Sequence, residues 1–218
     1  MRIVRDQNGG VLVEATVMIP ILFVFILGAI DFLFAFYQWN AAAKAVQAGL
    51  RIAIVSNPVA SGFNNLSTGV LGGSVIAGQS AMPQFTVTCD GATGTCACAG
   101  TCTGGVGAYS AAAMDALVYG RGRNACGSTT SFYAAGMCNF FPRVQPSNVR
   151  VIYTHAANDA LGYAGRPGGP IATIQLQLQG LQFQFFFLGG LMNFANITMP
   201  ALTSTMTSED LSSIWPPP

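Results

Sequence analysis

The run from Gly10 to Tyr37 limits this chain more than any other feature: it is almost wholly apolar, and no Lys or Arg occurs between Arg5 and Lys44. As a helix rising ~1.5 Å per residue it would extend about 42 Å, more than the ~30 Å hydrocarbon core of a bilayer. It therefore reads as a membrane span. Arg2 and Arg5 stand just ahead of it, which favours a cytoplasmic N-terminus, and Tyr37 and Trp39 fall where an outer aromatic belt would lie. Pro20 removes one helical hydrogen bond and is expected to bend the span. Asp31 lies about two turns below the belt, from where its carboxylate is expected to reach headgroup water. Glu14, near the other end, demands its own explanation. A cleavable secretory signal is the rival reading, because "WNAAAKA" offers small residues near a cut. Signal cores run to about 7–15 residues; this one is about twice that and holds a carboxylate, so an anchor is the better reading.

The helix does not stop at the membrane. In "NAAAKAVQAGLRIAIV", Ala42, Val46, Leu50 and Ile54 recur every four residues, while Lys44, Gln47 and Arg51 fall away from them. That is an amphipathic helix with one dry stripe. Asn57-Pro58 ends it, because the residue before proline avoids helical dihedrals. One helix from about Gly10 to Val55 is expected, its outer half needing an apolar partner.

Beyond it the chain reads as a β-rich region with long Gly/Ser/Asn loops. Residues 57–83 read as loop with a short element near "GVLGGSVIAG", "QFTVTC" from Gln84 as a strand, and residues 90–107 as a Gly/Thr/Ala/Cys loop. A short helix is expected over Ala108–Tyr119 and a strand over Asn148–Ala156. "IQLQLQGLQFQFFF" alternates, but its apolar phase flips after Gly180: Ile174, Leu176 and Leu178 give way to Leu181, Phe183, Phe185 and Phe187. A one-residue slip turns the core face outward, so a bulge or sharp bend is expected at Gly180. "LGGLMN" reads as a connection and "ANITMPALTSTMTSE" as a last strand, which Pro200 assigns to an edge. The fold class expected is α+β: a long N-terminal helix, transmembrane then amphipathic, packed on a small antiparallel sheet with a disulfide-rich loop insertion.

Six cysteines, Cys89, Cys96, Cys98, Cys102, Cys126 and Cys138, all follow the span. An even set on the exported side of a membrane reads as disulfides. Cys126–Cys138 is the expected distal pair, leaving the other four to pair among themselves. No C-x-x-C pair occurs and the sole histidine is His155, so no metal site is expected. His155 lacks a nucleophile motif near it, Asp115, Asp159, Glu209 and Asp210 form no acid–base pattern, and no phosphate-binding loop joins a strand to a helix. The chain is not expected to be an enzyme or to take a cofactor. "NIT" at Asn196 is a chance match. With 8% charged residues and a net charge of +1, nucleic acid is not an expected partner.

The glutamate finds its reason when counted from the Gly9–Gly10 bond. A cut there would open the chain at Gly10 and make Glu14 its fifth residue, behind the short basic leader "MRIVRDQNG". That arrangement resembles a prepilin. Within "GGVLVEATVMIPILFVFILGAIDFLFAFYQWNAAAKAVQAGLRIA", Glu14, Pro20 and Asp31 sit where TadE-like proteins of the tight-adherence (Tad/Flp) pilus machinery tend to place a glutamate, a proline and a second acid. "FQFFFLGGLMNFANITMPALTSTMTSED" is more loosely similar, and Ala15 stands where an aromatic is common. The resemblance implies a minor pilin or pseudopilin, cleaved by a prepilin peptidase at Gly9–Gly10, with the new α-amino group of Gly10 pairing with Glu14 of its own or an adjacent helix. It implies other pilins or TadE-like subunits and the pilus assembly platform as partners, besides the membrane. The expected location is the bacterial inner membrane, crossed once, with the C-terminal domain exported to the periplasm, the exterior or a pilus. The expected organisation is a leader over 1–9, a transmembrane helix over 10–39, its amphipathic continuation over 40–56 and an exported α+β domain over 57–218. The alternative is an uncut, single-pass anchor carrying an adhesion module, with the Cys-rich loop as its recognition surface.

Overall fold

The computed structural model describes residues 8–71, 76–127, 135–156, 162–166, 169–192, 197–208 and 211. Most of the leader, Asp159, Asn196, Glu209, Asp210 and the proline tail lie outside them. In chain order the elements are helix α1 (Asn8–Ala53), helix α2 (Asn65–Gly69), strands β1 (Phe85–Asp90) and β2 (Thr95–Gly100), and helices α3 (Ala111–Tyr119) and α4 (Met137–Phe140). Strands β3 (Val149–His155) and β4 (Thr173–Leu178), helix α5 (Leu188–Met192) and strand β5 (Leu202–Thr207) follow. The chain divides into two compact units: one takes the chain to Trp39 with Gln182–Thr198, the other Asn40–Leu181 with Met199 onward.

α1 is one uninterrupted helix of 46 residues that runs through Pro20. In the larger unit its outer half buries the stripe read from the sequence: Ala42, Val46, Leu50 and Ile54 are all buried, whereas Lys44, Gln47 and Arg51 are exposed. Gly49 lies on the same buried side. A Cβ there would come within 2.6 Å of the Met137 side chain and 3.3 Å of Leu176 Cδ1, so α1 packs closely on α4 and β4. Each fully buried Leu or Val on this surface is worth ~1.5–3 kcal/mol against exposure to water.

The sheet has five antiparallel strands in the order β2-β1-β3-β4-β5. Its buried face carries Phe85, Val87 and Cys89 from β1, Val149, Val151, Tyr153 and His155 from β3, and Ile174, Leu176 and Leu178 from β4. The period-2 pattern legible in "IQLQL" is thus the core face of an inner strand. Phe63, from the loop after α1, lies tilted at 4.7 Å from Tyr153 and edge-on at 5.7 Å to Phe85. Tyr153 is buried, and its phenolic oxygen accepts the Val59 N–H at 3.0 Å. Burial pushes its pKa well up, so the phenol stays protonated. α3 starts at Ser110, whose hydroxyl accepts the Ala113 N–H, and stops at Gly120.

Several local expectations change. The Cys-rich stretch expected to be all loop contains β2, paired along its full length with β1. Its residues, "TCACAG", are small and mostly exposed, so side-chain pattern gives no strand signal. Pairing and a covalent tie hold it instead: Cys89 and Cys96 face each other in the ladder and are bridged. Cys98–Cys102 and Cys126–Cys138 complete the three disulfides, and no cysteine is free. β4 ends at Leu178, and Gly180 takes φ +71° as the chain bends out of the sheet, which is the bend form of the expectation rather than a bulge within a continued strand. "LGGLM" is the short helix α5 instead of a plain connection. The short element near residues 69–78 lies earlier, as α2, and residues 72–75 are outside the described set. β5 is an edge strand, but Pro200 precedes it rather than lying in it.

Candidate functional site

The smaller unit holds the apolar part of α1 together with residues that return between β4 and β5. α1 qualifies by length and composition as a membrane-crossing helix near the N-terminus, and only 6% of its most apolar window is buried within the protein. From Leu12 to Phe36 its large side chains are mostly exposed: Phe25 is 80% and Leu33 70% accessible. An all-round exposed apolar helix is stable only where the surroundings are apolar too.

On one side of α1 that pattern breaks. Asp31, Phe34 and Gln38 stand at i, i+3 and i+7, the spacing of one helix face, and Asp31 and Gln38 are buried. Asp31 Oδ1 accepts the N–H of Phe186 at 3.0 Å, and Oδ2 accepts those of Phe187 at 2.9 Å and Leu188 at 2.7 Å. Phe186 and Phe187 lead into α5 and Leu188 is its first residue, and the first N–H groups of a helix have no partner within it. Asp31 therefore acts as an N-cap supplied from another element, 157 residues away in sequence from Leu188. It does not reach headgroup water as expected: its side chain is fully buried.

Gln38 repeats the device one level up the helix. Its Nε2 donates to the Gln184 carbonyl at 2.9 Å, and its Oε1 accepts the Gln184 N–H at 3.0 Å. The side-chain amide thus pairs with a peptide group as a neighbouring strand would. Aromatic rings fill the space between: Phe34 lies 4.8 Å from Phe186, and Trp39 stacks 6.4 Å from Phe183. The returning segment is also held to itself, the Phe183 N–H donating to the Ile197 carbonyl at 2.9 Å. Leu188 Cδ2 lies 4.0 Å from where a Cβ on Gly28 would stand, so the start of α5 reaches a turn further down α1 than Asp31.

The other sequence-selected residues are not members of this cluster. Gly9 and Gly10 are in the first turns of α1, and nothing lies within 4 Å of a Cβ built on Gly10. Glu14 is exposed, and its side chain makes no hydrogen bond or ion pair among the described residues. The six cysteines belong to the larger unit. Sequence reasoning missed Asp31 as a structural centre, although a signal was present: an acid inside an apolar run needs donors, and seven residues on, Gln38 marks the same face.

These features meet in one helix, with a glutamate open to the outside near its start, a proline in its body and a satisfied aspartate near the end of its apolar run. The TadE-like protein family model matches residues 9–51. Over those residues the chain is similar to TadE-like proteins. The match covers Glu14, Pro20 and Asp31 and runs onto the amphipathic half. No curated protein and no solved structure matches the chain.

Proposed function

We propose that this chain is a minor pilin- or pseudopilin-like subunit of a Tad-type pilus or of the machinery that assembles it. In this reading it is a structural component, not an enzyme. A prepilin peptidase cuts between Gly9 and Gly10, the helix from Gly10 to Trp39 crosses the inner membrane once, and the residues beyond it are exported. The helix then packs against those of other subunits and of the assembly platform.

The observation that carries the reading is the state of Glu14. It is the fifth residue from the proposed cut, it lies in a TadE-like helix, and it makes no hydrogen bond or ion pair among the described residues. A charged carboxylate in the bilayer costs on the order of 3 kcal/mol on insertion scales. The α-amino group created on Gly10, in the same or an adjacent subunit, offsets that cost and favours a bundle of helices over a single one. The test is N-terminal sequencing of protein extracted from membranes of cells that carry a Tad system. The expected first residue is Gly10; Met1, or a residue near Ala41 as left by signal peptidase, would overturn the proposal.

A further inference from the structure

Residues 182–192 present a chemical contradiction if they face water. "QFQFFFLGGLM" contains no charged residue, Phe186 is 66% and Phe187 43% exposed, and Ile197 on the return is 45% exposed. The exposed rings continue the apolar surface of α1, where Phe32, Leu33 and Phe36 are 63%, 70% and 65% exposed. Soluble surfaces scatter such side chains singly; contiguous apolar patches mark a binding surface.

The backbone resolves the contradiction. Non-helical chain is excluded from hydrocarbon because its peptide groups lack water as a partner, and it is tolerated only where protein satisfies them. Here Asp31 takes three N–H groups, at Phe186, Phe187 and Leu188, and Gln38 takes both polar groups of Gln184. The contacts run down α1 from Trp39 to Asp31, and Leu188 Cδ2 reaches 4.0 Å from where a Cβ on Gly28 would stand; at ~1.5 Å per residue the stretch from Trp39 to Gly28 is about 16 Å, close to the ~15 Å depth of one hydrocarbon leaflet.

We infer that residues 182–192 are a membrane hook: they insert into the phospholipid leaflet crossed by the C-terminal end of the α1 span, with Phe186 and Phe187 among the acyl chains and Asp31 as the clasp. The inference rests on α1 crossing the bilayer but not on the pilus role. The occupant of the apolar face is lipid, because the face is continuous with the lipid-compatible surface of the helix and no charged residue lies in the hook. The cost of an acid in the bilayer becomes, on this view, the cost of holding a second element there.

The test uses the full chain with Phe186→Trp as the probe and Trp39→Phe and Trp215→Phe to remove the native indoles, reconstituted in phosphatidylcholine/phosphatidylglycerol vesicles. Co-flotation with the vesicles reports the anchor. The expected probe emission is blue-shifted, quenched by lipids brominated on their acyl chains and protected from aqueous acrylamide, at every protein-to-lipid ratio. A probe quenched by acrylamide and not by bromolipid, in protein that floats, overturns the hook alone; protein that does not float overturns anchor and hook together. A blue shift that disappears on dilution into lipid means that a second copy covers the face, and overturns the lipid assignment. Adding Asp31→Asn should cost the probe its bromolipid quenching while Trp39, read in a parallel protein that retains it, stays quenched. Unchanged probe quenching in that variant would overturn Asp31 as the clasp.

Discussion

Asp90 and Arg150 face each other across β1 and β3, and the guanidinium donates to Asp90 Oδ2 through both Nε and a terminal nitrogen. Partial burial works to raise the Asp90 pKa, but the Arg150 bonds and the Ala92 N–H outweigh it and hold the carboxyl below its ordinary value. The folded chain thus binds this proton less readily than the unfolded chain. The resulting stability is present above the ordinary carboxylate pKa of about 3.9 and is lost as pH falls through the lower folded value. Thermal unfolding of the detergent-solubilised chain from about pH 5 to about pH 2 should show that loss, with a shallower slope in Arg150→Ala. Equal slopes would mean that the pair contributes nothing to acid sensitivity. Tyr153 offers a second residue-level test. Tyr153→Phe keeps the ring against Phe63 but leaves the Val59 N–H without its acceptor, a loss of about 1–3 kcal/mol. Denaturant unfolding at neutral pH should register it, whereas an unchanged midpoint would show that water replaces the phenol.

Elements form here for reasons of unequal visibility. α1 and β4 were legible because their apolar residues repeat at 4 and at 2, and burial follows those periods at Ala42, Val46, Leu50 and Ile54 and at Ile174, Leu176 and Leu178. β2 was not legible, because a strand of small exposed residues is specified by its partner and by the Cys89–Cys96 bridge rather than by its own pattern. α5 was hidden for a related reason. Five residues with two glycines carry no helical period, and the cap that stabilises them comes from Asp31, remote in sequence. The α1–α4 contact was also invisible, since Gly49 gives no sign of what it admits. Its surroundings separate two substitutions. Gly49→Ala places a methyl against the movable thioether of Met137, and the ~1 kcal/mol gained in helix propensity offsets the adjustment, so stability should change by less than about 1 kcal/mol. Gly49→Leu overfills the same space against Leu176 and should lose about 1–3 kcal/mol. Thermal unfolding that ranks the two variants equally would contradict the close packing of α1 on α4 and β4.

At the scale of the whole molecule, one helix carries two acids in its apolar run and the chain treats them oppositely. Asp31 is saturated by its own protein, with three backbone donors. The Glu14 carboxylate makes no hydrogen bond or ion pair among the described residues. A carboxylate already satisfied within a subunit contributes to that subunit's folding. One left open contributes only when a donor arrives from a new terminus or a neighbour. The two positions should therefore separate folding from assembly. Glu14→Gln should leave the unfolding midpoint of the purified chain within about 0.5 kcal/mol of the parent, as for a surface change, and under the proposed function should lower its recovery in crosslinked complexes. Asp31→Asn should do the reverse: an amide can accept at one oxygen only, so at least one of the N–H groups of Phe186, Phe187 and Leu188 goes unmet, a loss of about 1–3 kcal/mol. Membrane level, unfolding midpoint and crosslinking yield, measured together on both variants, decide the matter. If Glu14→Gln destabilises the isolated chain, the glutamate is a folding residue; if Asp31→Asn leaves the midpoint unchanged, the aspartate is not the cap of α5 in solution.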